Sequence, residues 1–64
     1  GGPLPAVMNA ANEEAVALFL NRKIGYLDIT RQIERVMELH TILPPTFENV
    51  LHADEWARAQ VKGL

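Results

Sequence analysis

Apolar residues recur at helical spacing in several stretches of this chain, and no stretch alternates strictly between apolar and polar positions. Between residues 3 and 21, one side of a helix turning about 100° per residue collects most of the apolar side chains. This apolar arc consists of Leu4, Val7, Met8, Ala11, Ala15, Leu18 and Phe19. Prolines are tolerated in a first turn, so the pattern predicts a long helix that starts between Pro3 and Ala6 and runs to Asn21.

The other side of this helix is mixed rather than purely polar. Asn9, Asn12 and Glu13 share it with Val16 and Leu20. A face that only meets solvent would not carry Val16 and Leu20, so the pattern favours a core on one side and a partner on the other. The alternative is that Asn9 and Asn12 are simply solvated residues of the helix.

A second helix is predicted from Tyr26 to about His40, after a turn in which Gly25 can take positive φ at no steric cost. Asp28 lies near its start, where a carboxylate can accept hydrogen bonds from free N–H groups. Its core face carries Ile29, Ile33, Val36, Met37 and His40, and its charged face carries Arg31, Glu34, Arg35 and Glu38. Pro44 and Pro45 make residues 41–45 a predicted loop.

The last part of the chain predicts one short and one longer helical piece. Thr46 would cap a short turn with Phe47, Val50 and Leu51, and Asp54 would cap the final helix. The final helix has an apolar repeat of Trp56, Ala57, Gln60, Val61 and Leu64. Trp56 is expected to bury more surface than any other residue. The whole chain, residues 1–64, is therefore predicted to be one all-α domain, a small bundle of three to four helices.

Composition and charge narrow the function classes. The chain has 64 residues, no cysteine and a formal net charge of −2. Disulfides and cysteine-based zinc sites are thus excluded, and neither nucleic acid nor an anionic membrane is favoured as a partner. Among the charged residues, Glu13, Glu14, Arg58 and Lys62 are expected to face solvent, with Arg22 and Lys23 near a helix end.

Residues that could perform chemistry are sparse. The chain has no GxGxxG run, no Walker-type loop and no HExxH. His40 and His52, with Asp54 and Glu55 nearby, form the one imaginable zinc set, but zinc needs convergent ligands with second-shell support. Glu13 and Glu14 point to different faces and cannot serve one substrate as an acid/base pair. We therefore predict no catalytic, cofactor-binding or metal-binding residue in this chain.

Several short runs nevertheless resemble one enzyme family over essentially the whole chain. They are Pro5–Val7, Asn9–Glu13, Ala15–Val16, Phe19–Leu20, Ile24, Tyr26–Ile29, Pro45–Thr46, Val50–Leu51, Ala53–Asp54 and Trp56–Ala57. Together they resemble the C-terminal domain of 1-deoxy-D-xylulose 5-phosphate (DXP) reductoisomerase, the NAANE run being the most specific. Pro3 stands where that family commonly has threonine or another small residue, and Tyr26 where it commonly has phenylalanine.

The resemblance implies a parent enzyme that uses NADPH and a divalent metal ion, Mg or Mn. Such an enzyme converts DXP to 2-C-methyl-D-erythritol 4-phosphate in non-mevalonate isoprenoid biosynthesis. Its nucleotide site lies in an N-terminal domain and its metal and phosphate sites in a central domain, so both domains are implied partners of this chain. A homodimer is also implied, in the bacterial cytoplasm or, in a eukaryote, in the plastid. The fragment alone is expected to be inactive.

The resemblance also implies a role for the mixed face of the first helix. Asn9, Asn12 and Glu13 become expected contacts across a domain boundary. In the family a double glycine follows a further helix of the bundle, which is missing here; Gly1 and Gly2 can alternatively be a cloning scar. Two other functions remain as alternatives, an independent helical interaction module that binds through this face and a small nucleic-acid binder.

Overall fold

The computed structural model describes residues 3–42 and 52–63, and within these residues it contains three helices and no strand. Helix α1 spans Pro3–Leu20, α2 spans Tyr26–Ile42 and α3 spans Ala53–Gly63. The all-α fold class is therefore confirmed. The predicted turn capped by Thr46 and the predicted places of Gly1, Gly2 and Leu64 lie outside the described residues, as does the side chain of Leu4.

The first helix is the centre of the bundle, because it packs extensively on both α2 and α3, whereas α2 and α3 contact each other much less. The buried core is made of small side chains: Val7, Ala10, Ala11, Ala15, Val36, Ala53, Ala57 and Val61. Larger residues pack around it with part of their surface in solvent: Leu18, Ile24, Ile29, Ile33, Met37 and Trp56. Most of the core faces predicted for α2 and for the final helix are thus confirmed; His40 and Gln60 are not part of this core, and Leu64 lies outside the described residues.

The apolar arc predicted for α1 was wrong in one detail. Met8, placed on the apolar arc, is 50% exposed, whereas Ala10, which lay outside that arc, is fully buried. Trp56 is only partly buried and lies beside His40, with 6.0 Å between the ring centroids. The reason is geometric: α1 is covered on two sides, so small residues lie beneath its neighbours and large ones pack at the margins.

Helix α1 ends in a backbone motif that places positive φ at Arg22 and not at Gly25. Arg22 has φ of 59°, and no described glycine has positive φ. The Arg22 N–H donates to the Phe19 carbonyl at 3.0 Å and the Lys23 N–H to the Leu18 carbonyl at 2.9 Å. This is the Schellman pattern, which needs a left-handed residue just past the helix end. Arg22 occupies that position, so the expectation for Gly25 was wrong.

Gly25 instead precedes α2 as its N-terminal cap. The Asp28 Oδ2 accepts a hydrogen bond from the Gly25 N–H at 2.8 Å, and the Asp28 N–H donates to the Gly25 carbonyl at 3.1 Å. This reciprocal arrangement is the side-chain half of a capping box and confirms the role predicted for Asp28. A methyl group on Gly25 would lie 3.3 Å from the Asp28 Oδ2.

The far end of α2 extends to Ile42, so residues 41 and 42 are helical and not part of a loop as predicted. Pro44 disfavours helix for the residue before it, which is Leu43, and leaves Thr41 and Ile42 free to continue the helix. The Thr41 hydroxyl donates to the Glu38 carbonyl at 2.7 Å, within the same last turn. The helix therefore ends about two residues later than predicted.

Helix α3 begins one residue earlier than its predicted cap. The His52 carbonyl accepts the first helical hydrogen bond, from the Trp56 N–H at 2.9 Å, so His52 holds the cap position and Asp54 lies inside the first turn. An acidic side chain in the first turn still suits the helix dipole. The prediction of Asp54 as the cap was wrong because its carboxylate has a different partner, Arg58.

Candidate interdomain surface

The three residues predicted to contact another domain, Asn9, Asn12 and Glu13, are all exposed on α1. The Asn9 Nδ2 lies 3.4 Å from the Glu13 Oε1, one helical turn away, so the two form a long hydrogen bond. Val16 and Leu20 continue this line along the helix, Val16 partly buried and Leu20 71% exposed. We call these five residues the outer face of α1.

A shallow groove runs beside the outer face, between α1 and α2. One half, with a volume of about 400 Å³, is lined by Met8, Asn9, Asn12 and Ile33. The other half, of about 450 Å³, shares Met8 and Ile33 and adds Glu34, Met37, Glu38 and Thr41. An apolar floor with amide groups on one edge suits a polypeptide segment, because amides can pair with backbone N–H and C=O groups while the floor buries apolar side chains.

Glu13 has a second partner inside the domain. Its Oε2 lies 2.9 Å from the Arg58 Nη2 on α3, and the Arg58 Nε lies 2.7 Å from the Asp54 Oδ1. One position along, the Glu14 Oε1 lies 3.0 Å from the Lys62 Nζ. Arg58 and Lys62 are four residues apart and share one face of α3, so consecutive acidic residues of α1 meet consecutive turns of α3.

These ion pairs correct the expectation that Glu13, Glu14, Arg58 and Lys62 only face solvent. They tie α1 to α3, and the side chain of Glu14 is only 15% exposed. Sequence patterns could not pair them, because residues 13 and 58 are distant in the chain and the α1–α3 register decides which charges meet. Glu13 is therefore already engaged within the domain, with Arg58 and through a long hydrogen bond with Asn9, whereas the side chain of Asn12 is exposed.

Asp54 and Arg58 hold each other in their charged forms. The hydrogen bond from Arg58 is the main cause that lowers the pKa of Asp54 below its ordinary value, with a smaller contribution from the charge of Arg58 and an opposing one from burial. Hydrogen bonds to Asp54 and Glu13 raise the pKa of Arg58 still further above neutrality. Neither group exchanges protons near neutral pH, so the cluster is suited to structure and not to acid/base catalysis.

A second exposed apolar surface lies where α1 meets α2, and sequence reasoning missed it. Leu20, Tyr26 and Leu27 are 71%, 70% and 72% exposed. The Tyr26 ring stands edge-on to the Phe19 ring, with 5.7 Å between centroids. Arg22 and Lys23, both exposed, lie on the connecting turn. We call Leu20, Arg22, Lys23, Tyr26 and Leu27 the tip. The sequence contained one signal of this surface, because its three large apolar residues lie outside every predicted core face.

The described residues offer no site for a metal ion. No group of three or more His, Asp or Glu side chains converges anywhere in residues 3–42 and 52–63. His52 lies instead 3.8 Å from Glu55 on its own helix, and His40 lies beside Trp56. In the same part of the chain, no helix has the length and hydropathy needed to cross a membrane.

Fold and surface together define a small all-α domain with exposed apolar surface beside α1 and at the tip. The comparisons with known proteins identify the family of this domain. Residues 1–60 match the DXP reductoisomerase C-terminal domain family. The chain belongs to this family.

The curated relatives bear the same family name. A 1-deoxy-D-xylulose 5-phosphate reductoisomerase of Synechococcus sp. (strain JA-2-3B'a(2-13)) is 55% identical over 65 residues, covering 100% of this chain and 17% of that protein. The enzymes of Microcystis aeruginosa and Chlorobium chlorochromatii are 53% and 52% identical, covering 95% and 97% of this chain and 16% of each relative. The chain thus spans about one sixth of their length. No solved structure matches it.

Proposed function

We propose that this chain is the C-terminal supporting domain of a DXP reductoisomerase and contributes no reacting group to catalysis. The observation that supports this most is the family match over residues 1–60, by a chain that covers about one sixth of its relatives. An independent interaction module would not need that match, so we set this alternative aside.

The parent reaction is the NADPH-dependent, metal-dependent conversion of DXP to 2-C-methyl-D-erythritol 4-phosphate. The described residues do not fit either cofactor, since they hold no converging set of metal ligands and Gly25 is committed to capping α2. We therefore assign NADPH and the Mg or Mn ion to the remaining part of the parent polypeptide, together with the dimer contacts. A cytoplasmic location in a bacterium, or a plastid one in a eukaryote, belongs to the same proposal.

The domain would act by packing against the catalytic part of the same polypeptide through the outer face of α1 and the groove beside it. Asn9 and Asn12 supply amide hydrogen bonds at the edge of the groove, and Met8 and Ile33 supply apolar surface. Burying half-exposed apolar groups stabilises the docked state by roughly 25 cal/mol per Å² of apolar surface removed from water. The catalytic part is thereby held in its active arrangement.

A chimera tests this directly. The matching C-terminal segment of the Synechococcus enzyme is replaced by residues 1–64, and NADPH oxidation with DXP is measured for four samples. They are the chimera, the intact relative, the relative without the segment, and the isolated chain. We expect turnover by the chimera close to that of the intact relative, a large loss on truncation and none from the isolated chain. Turnover by the isolated chain, or a well-folded but inactive chimera, would contradict the proposal.

Asn12→Ala separates a supporting role from a catalytic one. In the chimera we expect it to cost about 0.5–1.5 kcal/mol of stability for one lost hydrogen bond, with kcat nearly unchanged. The same substitution in the isolated chain is the matched control, and there the exposed amide has no partner domain to lose. An Asn12→Ala chimera of unchanged melting temperature but abolished turnover would place this residue in the chemistry instead.

A further inference from the structure

The tip is an exposed apolar surface that shares Leu20 with the outer face and lies apart from the groove. Its three large side chains, Leu20, Tyr26 and Leu27, lie within eight positions of the chain, and each has about seven tenths of its surface in solvent. Contiguous exposed apolar surface edged by polar groups is typical of a contact site. The partly buried Phe19 supports the Tyr26 ring from below.

The tip is also positively charged, in a chain whose formal net charge is −2. Arg22 and Lys23 project from the turn, and neither takes part in an ion pair with any residue of 3–42 or 52–63. Asp28, the acid nearest to them along the sequence, has other partners: its Oδ2 accepts from the Gly25 N–H and its Oδ1 lies 3.8 Å from the Arg31 Nη1. A fitting partner surface therefore combines apolar groups with carboxylates at its edge.

The backbone of the tip is held in place before any partner arrives. The Schellman closure ends α1 at Leu20, and the Asp28 cap fixes the start of α2. Leu20, Tyr26 and Leu27 are helical and the N–H groups of Arg22 and Lys23 donate to α1, so docking would order little additional backbone. A preorganised surface loses less conformational entropy on binding than a mobile loop does.

Leu20 belongs to both the outer face of α1 and the tip, so the two surfaces are continuous. The curated relatives are about six times as long as this chain, which leaves most of their polypeptide available as a partner. We infer that the tip docks on the catalytic part of the same polypeptide, against an apolar patch edged by carboxylates. This inference rests on the proposed function and adds a second contact to it, at the opposite end of α1 from Pro3.

The test compares Leu20→Ser/Leu27→Ser with Ile42→Ser, in the chimera and in the isolated chain. Ile42 is the matched control because it is 76% exposed and lies at the far end of α2, about 24 Å along the helix from Tyr26. We expect the double variant to lower the melting temperature of the chimera by at least about 3 °C and that of the isolated chain much less. Ile42→Ser should change neither.

A second variant tests whether the basic residues of the tip meet carboxylates of the partner surface. Arg22→Gln/Lys23→Gln keeps the size and polarity of both side chains and removes their charges. In the chimera we expect a lower melting temperature at low salt and a loss of the difference between low and about 1 M salt, where exposed charges are screened. Hydrogen exchange of residues 19–27 should be slower in the unsubstituted chimera than in the isolated chain.

The outcomes distinguish this inference from the proposal beneath it. An inactive unsubstituted chimera would overturn both. An active chimera in which the double serine variant behaves like Ile42→Ser would overturn the tip contact alone. Two further results would overturn it in favour of another occupant. They are a dimer of the isolated chain in sedimentation that the serine variant abolishes, and flotation of the chimera with phosphatidylserine-containing vesicles that requires Leu20 and Leu27.

Discussion

The two sides of α1 are packed in opposite ways. Helix α3 supplies three buried core residues, Ala53, Ala57 and Val61, with Trp56 at the margin, and ion pairs from Glu13 and Glu14 reach it from α1. Helix α2 supplies one buried core residue, Val36, and larger residues, Ile33 and Met37 among them, that remain partly exposed and line a groove. Small side chains are thus buried completely on the α3 side, whereas large ones leave apolar surface in solvent on the α2 side.

This contrast supports the proposed double role of α1, as the central helix of the core and as a docking surface. A 64-residue chain buries only about 60% of its unfolded surface, so its stability is small and each fully buried contact counts. Most core residues of α3 are fully buried, whereas most of those of α2 keep part of their surface in solvent. We expect substitutions on the two sides to differ accordingly.

The largest effect is expected from filling the α1–α3 contact. Ala57→Leu adds three carbon atoms at a position with no exposed surface, and overpacking of this kind costs about 3 kcal/mol. That is a large fraction of the stability of so small a domain, roughly 0.05–0.15 kcal/mol per residue. Ala59→Leu on the exposed side of the same helix is the control and should be nearly neutral. Thermal unfolding followed by circular dichroism gives both values, and equal stability of the two variants would refute the contrast.

A smaller loss is expected at the margin of the core. Trp56→Ala removes a large side chain that is only partly buried, so we expect about 2 kcal/mol, below the 3–5 kcal/mol typical of fully buried aromatic residues. Trp56→Phe should restore most of that stability by keeping a ring beside His40. Urea unfolding measures both variants; a loss above about 4 kcal/mol would show that the ring is central to the core.

On the α2 side, we expect a substitution at the buried Val36 to cost more stability than a substitution in the groove. Val36→Ala deletes two methyl groups from a fully buried position and should cost about 1.5 kcal/mol. Met8→Ala removes a longer side chain that is 50% exposed, and in the isolated chain it should cost less than Val36→Ala. The reverse order in urea unfolding would mean that the groove is already closed within the domain.

The smallest effect is expected from the ion pairs, because exposed pairs contribute little. The pKa of Asp54 is lowered in the folded state, so its contribution is fully present above its ordinary pKa of 3.8 and is lost as pH falls through the lowered value. The raised pKa of Arg58 lies far above neutrality and adds no pH dependence below it. Arg58→Gln should therefore slightly lower the melting temperature at pH 7 and make acid unfolding less steep.

Salt provides the control for that variant. In about 1 M salt the difference in melting temperature between Arg58→Gln and the unsubstituted chain should shrink, since exposed ion pairs are screened. Lys62→Gln removes only the ion pair with Glu14 and leaves Asp54 and Arg58 unchanged. The stability of this variant should therefore fall with decreasing pH as steeply as that of the unsubstituted chain. An Arg58→Gln difference that persists in high salt would point to packing by the side chain instead.

Much of the fold followed from local pattern alone. Helical periodicity predicted all three described helices to within about two residues at each end, as is usual for element boundaries. The core positions of α2 and α3 also followed, because a side chain's direction along a helix depends only on the helical repeat. The same pattern detected the mixed face of α1, and the NAANE run connected it to a family.

The tertiary structure decided everything that depends on which helix lies next to which. It placed Glu13 and Glu14 against Arg58 and Lys62, buried Ala10 while leaving Met8 half exposed, and kept Trp56 at the margin of the core. It also placed positive φ at Arg22, where the end of α1 closes. Periodicity gives the direction of each side chain around its own axis, but burial and pairing depend on the position of neighbouring helices, which no local pattern encodes.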